Sequence, residues 1–160
     1  KGIAVFKEYF GDAEANAAAF TEDGFFRTGD LGRIEPDGRV IFLSRIGDVL
    51  RLGGFLTSPA EIEGHVENHA SVKECKVVGI STPAGNRAVA FVIPEAGAGA
   101  DIDEAALADH CHAGIAKFKV PVRFFVVAEF PYSVSPNGVK LRRGELRDMA
   151  LERMGMGDKA

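Results

Sequence analysis

Glycine interrupts the stretch from Thr28 to Glu63 so often that only short elements joined by tight reversals fit there. Thr28-Gly29-Asp30 opens it as a turn. Asp37-Gly38 then separates Arg33-Ile34-Glu35 from Arg39-Val40-Ile41-Phe42-Leu43. That pattern predicts a β-hairpin, because glycine supplies the positive φ the turn needs. Ser44-Arg45-Ile46-Gly47-Asp48 follows, and then a Gly53-Gly54 pair. A helix is predicted from Ser58 to His69, with Ser58 as cap, Pro59 at the first helical position and Glu61 completing a capping box. Its apolar stripe is narrow, Ile62 and Val66. Glu61 and Glu63 are read as carboxylates that complement the start of the helix dipole.

Beyond this stretch the elements lengthen. Val72 to Ile80 reads as a strand with polar residues on one side, and Ala88 to Ile93 as a more buried partner. Ala96 to Ala100, alternating alanine and glycine, is a loop too small-sided to pack. Asp101 to Phe118 is predicted as the longest helix, from Ile102, Leu107, Cys111, Ile115 and Phe118 near helical spacing. Pro121 stops it, Val122 to Phe130 is strand-like, and a last helix runs from about Arg142 to Met154. Strands mixed with helices in this order predict an α+β fold with a small mixed β-sheet flanked by helices.

At 160 residues the chain suits one domain plus an appendage. A net charge of -4 argues against a nucleic-acid partner, which calls for a basic face. No apolar run reaches the roughly 18 residues of a membrane span, and no signal peptide opens the chain, so a cytoplasmic location is expected. Cys75 and Cys111 match no C-x-x-C spacing and read as small buried apolar residues in a reducing compartment. His65 and His69 share a helix face, but no H-E-x-x-H motif or third ligand accompanies them, and His110 and His112 fall on different faces. No metal site is expected within the chain.

Two residues suggest chemistry by type and place. A carboxylate on a tight glycine turn, Asp30, can accept from the two hydroxyls of a ribose. The planar fork of a nearby guanidinium, Arg45, suits the same oxygens or a phosphate. Read alone, Asp30 also closes a turn through its own backbone, and Lys140, Arg142 and Arg143 also make a solvated basic cluster before a helix.

In order and spacing the whole series resembles the closing segment of the adenylate-forming enzymes, the superfamily of acyl-CoA synthetases, peptide-synthetase adenylation domains and firefly-type luciferases. The resemblance extends upstream through Tyr9-Phe10-Gly11-Asp12 and Phe20 to Arg27. Downstream it includes Val77-Val78-Gly79-Ile80, Phe118-Lys119-Val120-Pro121 and Asn137-Gly138-Val139-Lys140. A Ser/Thr/Gly-rich phosphate loop ending in Pro-Lys-Gly is absent, as is any G-x-x-x-x-G-K-S/T loop. The chain opens on Lys1 rather than Met, so it reads as a C-terminal piece.

The resemblance implies that residues 1–46 close the large AMP-binding domain with a β-hairpin segment, and that 47–160 form the small mobile C-terminal domain. It implies an ATP-dependent carboxylate–CoA ligase of acyl-CoA and fatty acid metabolism. Mg²⁺ accompanies ATP, bound mainly by the large domain, and CoA is co-substrate with a carboxylic acid. Lys140 is the adenylation lysine. Asp30 and Arg45 bind the nucleotide, Gly47 is the hinge, and Gly53 and Gly54 line the CoA (pantetheine) tunnel. Two departures stand out. The family's lysine commonly follows glycine directly, whereas Val139 intervenes here, and Gly47 stands where Asp or Lys is usual. The piece alone is expected to be inactive. The alternatives are an adenylation domain that loads a carrier protein and a non-catalytic interaction module of the same fold.

Overall fold

The computed structural model describes residues 1–96, 102–135 and 138–156, and the chain divides into the units Lys1–Gly47 and Asp48–Ala160. In the first unit, α1 (Ala13–Ala19) begins on Asp12, whose carboxylate accepts the Ala15 N–H at 2.9 Å. Asn16 ties this helix back to Tyr9 through both its amide oxygen and its amide nitrogen. Phe6 gathers Tyr9, Phe20 and Phe26 around it at centroid distances of 4.9 to 5.4 Å. The predicted hairpin follows as β1 (Asp30–Ile34) and β2 (Val40–Arg45), antiparallel, with Gly38 in the turn at φ 85°. Ile34, Val40 and Phe42 lie exposed on it.

The second unit opens with a tight hairpin, β3 (Leu50–Leu52) and β4 (Phe55–Thr57), then α2 (Pro59–Glu67). Next come β5 (Val72–Thr82) and β6 (Gly85–Pro94), α3 (Glu104–Gly114), β7 (Phe124–Val126), the hairpin β8 (Tyr132–Ser135) and β9 (Gly138–Leu141), and α4 (Arg143–Arg153). β5 pairs antiparallel with β6, and β6 pairs parallel with β7, which makes the sheet mixed.

Strand alternation makes this sheet two-faced. Ala88, Ala90 and Val92 of β6 point into one core with Cys75 and Val77 of β5, Leu52 of β3, Ile62 and Val66 of α2, and Leu107 and Cys111 of α3. Val89 and Phe91 point the other way, into a second core with Val78 and Ile80 of β5 and Leu146 and Ala150 of α4. The buried run Ala88–Val92 thus reflects helices on both faces. Each fully buried large apolar side chain contributes about 1.5–3 kcal/mol. Among the described residues no helix is long and apolar enough to cross a membrane.

Three expectations need correction. The helix predicted over 101–118 ends at Gly114: Ile115 is extended (φ -129°, ψ 158°), and Lys117–Lys119 form a separate 3-10 turn. Ile115 and Phe118 still pack on the first core, so the apolar spacing continues across a break in the helix. The strand predicted over 122–130 pairs only at Phe124–Val126, because Val127 and Phe130 turn into the second core. The capping box does not form. The Ser58 side chain makes no capping bond, the Glu61 N–H bonds the Ser58 carbonyl, and the Glu61 carboxylate pairs with Lys119. Helix α1 and the β8–β9 hairpin are additions the sequence reading did not contain. The residues 97–101 of the predicted loop and helix start lie outside the described residues.

Where α2 meets α3, His65 Nε2 donates to the His110 carbonyl at 3.1 Å and His110 Nε2 to the His65 carbonyl at 2.9 Å. The two imidazoles stack at 4.5 Å. A Cβ on Gly114 would sit 2.0 Å from the His65 ring, which these bonds hold in place. Gly114→Ala should therefore destabilise the protein by about 1–3 kcal/mol through overpacking, against the helix propensity gain of about 1 kcal/mol. Urea unfolding measures it, and a stabilised variant would refute the packing argument.

Cys75 and Cys111 share the first core and are not bridged. Burial pushes the Cys111 thiol up to about 11. Burial, reinforced by the Glu63 and Glu67 carboxylates, pushes Cys75 well above the ordinary thiol value. The unfolded chain therefore ionises first. The stability held by these neutral thiols is complete below the ordinary thiol pKa of roughly 8.5 and declines as pH rises through the folded values. Unfolding free energy should fall between about pH 8 and 11, and the Cys75→Ala/Cys111→Ala variant should show a shallower slope. An unchanged slope would assign the decline to other groups.

Candidate functional site

Backbone register brings Asp30 and Arg45 together. Counting back from the turn, Ile34 faces Val40, Arg33 faces Ile41 and Gly32 faces Phe42. A β-bulge between Leu31 and Gly32 then shifts the pairing by one residue, so Asp30 faces Arg45 rather than Ser44. Arg45 Nη1 lies 2.9 Å from Asp30 Oδ1 and donates to the Thr28 carbonyl at 2.9 Å. The Thr28 hydroxyl accepts the Asp30 N–H at 3.1 Å, and the Ile46 N–H bonds the Gly29 carbonyl at 2.8 Å. The result is a turn with a carboxylate and a guanidinium side by side, both open to solvent. Such a pair can accept from vicinal hydroxyls and donate to phosphate oxygens. Gly32 belongs to the device, since a Cβ there would meet the Ile41 carbonyl oxygen at 2.9 Å.

Gly47 lies in a 3-10 turn, Ile46–Asp48, where a Cβ would meet nothing within 4 Å. This conformation does not require glycine there.

In the second unit Gly53 and Gly54 make the β3–β4 turn, both at positive φ (55° and 87°). A Cβ on Gly53 would sit 2.9 Å from Phe118 Cβ, so only glycine lets the 117–119 turn come this close. Phe118 stacks on Phe55 at 4.9 Å and 27°. A groove of about 720 Å³ opens beside them, lined among others by Gly53, Arg87, His112, Lys117, Phe118 and Val122. It offers bare backbone at one end, an aromatic face, and two cations with an imidazole. That set suits an extended ligand that is thin at one end and carries anionic and aromatic groups at the other.

Lys140 stands on β9 opposite Ser133, whose hydroxyl donates to the Lys140 carbonyl at 3.3 Å. Its ammonium has no ion pair among the described residues, whereas Arg142 pairs with Glu145 at 2.5 Å and Arg143 with Glu63 at 2.9 Å. The basic cluster of the sequence therefore separates into two paired arginines and one exposed lysine. Asn137 of the Asn137-Gly138-Val139-Lys140 run lies outside the described residues. Lys140 and the Gly53-Gly54 turn sit on different hairpins of this unit, and Asp30 and Arg45 sit in the other unit.

Glu63 is the residue the sequence reading misjudged. Only 8% exposed, it accepts the Val77 N–H at 2.9 Å and holds Arg143. The signal was present: Pro59, Ile62, Glu63 and Val66 form one buried helix face, and a carboxylate there needs an internal partner. Asp48 lies 3.4 Å from Arg143 Nε. Among the described residues no group of three or more His, Cys, Asp or Glu side chains could hold a metal ion.

Residues 61–136 match the family model of the AMP-binding enzyme C-terminal domain. The chain is 37% identical over 147 residues to the 2-succinylbenzoate–CoA ligase of Geobacillus kaustophilus, covering 92% of this chain and 29% of that protein. ATP-bound MatB from Rhodopseudomonas palustris superposes with a TM-score of 0.82 at 34% identity, over 96% of this chain and 30% of that one. The O-succinylbenzoate coenzyme A synthetase of Bacillus subtilis, in complex with ATP and a magnesium ion, gives 0.76 at 33% identity, over 90% and 28%. The chain thus spans less than a third of the length of these relatives.

The bulge at Gly32 can be probed directly. Gly32→Ala must part the two strands, so amide exchange in β1–β2 should quicken at least about tenfold, with β5–β6 unchanged, as local opening allows. Unaltered protection of the β1–β2 amides would show that the close approach to Ile41 is not needed.

Proposed function

The chain belongs to the adenylate-forming enzymes and carries their AMP-binding C-terminal domain, and from that premise we propose that it is the C-terminal part of an ATP-dependent carboxylate–CoA ligase. Residues 1–46 end the large AMP-binding domain and 47–160 form the small mobile domain. The division of the chain into compact units between Gly47 and Asp48 supports this boundary. The piece alone is inactive, since it carries neither the acyl pocket nor the phosphate loop. The location proposed for the enzyme is the cytoplasm.

In the first half-reaction a carboxylate oxygen attacks the α-phosphorus of ATP. The bond from that phosphorus to the leaving pyrophosphate breaks, and an acyl-adenylate forms. Asp30 accepts from the ribose hydroxyls, and Arg45, held against it, donates to the same nucleotide. The Lys140 ammonium bridges substrate carboxylate and α-phosphate, opposing the negative charge that builds in the transition state. Mg²⁺ accompanies ATP. The described residues include no cluster able to hold it, so none of these steps is assigned to the metal.

In the second half-reaction the small domain pivots at Gly47. The CoA sulfur attacks the acyl carbonyl carbon, the carbon–oxygen bond to AMP breaks, and the thioester and AMP are released. The pantetheine arm runs past Gly53 and Gly54, and the groove with Arg87, Lys117 and His112 takes the nucleotide phosphates of CoA.

The observation that carries this reading is the Lys140 ammonium, exposed on a hairpin and without an ion pair among the described residues, beside two neutralised arginines. That cationic groove favours CoA over a carrier protein as acceptor, because CoA brings phosphates of its own. In the full-length protein carrying this chain, Lys140→Ala should lower ATP–pyrophosphate exchange by about 10²-fold or more, the loss typical of one transition-state donor. Thioester formation from preformed acyl-adenylate should survive. Intact exchange would refute the assignment of Lys140. Thioester formation on a carrier protein but not on free CoA would refute the choice of acceptor.

A further inference from the structure

Three residues after Lys140, the Arg143 side chain is largely withdrawn from solvent, 22% exposed. Its Nη1 donates to Glu63 Oε1 at 2.9 Å and to the Val77 carbonyl at 2.8 Å, while Nε faces Asp48 Oδ2 at 3.4 Å. Glu63 in turn accepts the Val77 N–H. One guanidinium therefore joins β5, α2, the first residue of α4 and the first residue of the second unit. The other leg of the Lys140 hairpin is also anchored. The Arg142 N–H bonds the Pro131 carbonyl at 2.9 Å, and the Tyr132 hydroxyl donates to Glu74 on β5 at 3.3 Å. Beyond this base Val134 and Val139, directly opposite one another, are both exposed.

We propose that Arg143 is a positioning residue for Lys140 and the tie that makes the lysine hairpin follow Asp48, the neighbour of the Gly47 pivot. The inference rests on the assignment of Lys140 to adenylation. A buried ion pair is a poor source of net stability, since desolvating both charges offsets their attraction. What it does supply is direction. The planar fork of arginine reaches Glu63 and the Val77 carbonyl through Nη1 while Nε faces Asp48, a spread over two nitrogens that a single ammonium does not match. Glu63 and Asp48 also cancel the Arg143 charge locally, while the Lys140 ammonium has no ion pair among the described residues.

The test uses the full-length protein carrying this chain, in ATP–pyrophosphate exchange and in thioester formation from preformed acyl-adenylate, with thermal unfolding followed alongside. Arg143→Met should slow exchange by about tenfold or more while leaving thioester formation within about twofold, the loss expected when a catalytic group is misplaced by less than an ångström or so. Arg143→Lys should recover part of it. The double variant Arg143→Met/Lys140→Ala should be no slower in exchange than Lys140→Ala, because Arg143 acts through the lysine. Losses that multiply in the double variant, or that strike both half-reactions equally, would overturn the proposal in favour of a general structural role. Should Arg143→Met not fold, Asp48→Asn removes only the pivot-side partner and carries the same selective expectation; its failure to affect exchange would overturn the tie. Lost exchange in Lys140→Ala with normal exchange in Arg143→Met overturns the tie alone. Intact exchange in Lys140→Ala overturns the reading beneath it, and the tie with it.

Discussion

The Glu63 carboxylate has little access to water, and moving such a charge out of water costs several kcal/mol unless it is matched inside. Much of the second unit is arranged around that match. Glu63 sits on the buried face of α2, so α2 must pack where β5 can offer an N–H and α4 a guanidinium. Val77 supplies both of its backbone polar groups, N–H to Glu63 and carbonyl to Arg143. α2 covers one face of the sheet and α4 the other, and the Glu63–Arg143 contact is what connects the two layers across its edge. A single polar contact thereby fixes where α4 starts, and with it the base of the hairpin that carries Lys140.

Backbone geometry plays the corresponding role in the first unit. Asp30 and Arg45 are far apart along the chain and meet only because a hairpin folds between them, with one bulge resetting its register. A one-residue slip would turn either side chain to the opposite face. Two glycines set close approaches, Gly32 at the Ile41 carbonyl and Gly53 at Phe118. In both places the absence of a side chain shapes the candidate site more than any side chain present.

Much of this was legible in the sequence. The Asp37-Gly38 hairpin, α2 starting at Pro59, the β5–β6 pair, the final helix and the burial of Cys75 and Cys111 each follow from local rules. Turn chemistry, proline placement and alternation act over a few residues and need no partner. The adenylate-forming family was legible too, because its motifs are strings of residues in fixed order. The misread bounds of the third helix and of the strand after it share one cause. Ile115 and Phe118 kept helical spacing across a helix that ends at Gly114, since periodicity records which residues are buried and not whether the backbone between them is continuous. Val122 to Phe130 looked like one strand, since apolar β-formers also serve as loop residues that plug a core.

By itself the sequence determined the kinds of element, the α+β class and the family, because those depend on near-neighbour preferences and motif order. Only the tertiary structure decided which partners Glu63 meets, that Arg143 is neutralised while the Lys140 ammonium has no ion pair among the described residues, and that Asp30 faces Arg45. Each of these depends on which distant group arrives beside a charge. A charge beside a partner and the same charge in water are different chemical objects, and a local pattern that places a charge on a buried face does not name the partner it meets.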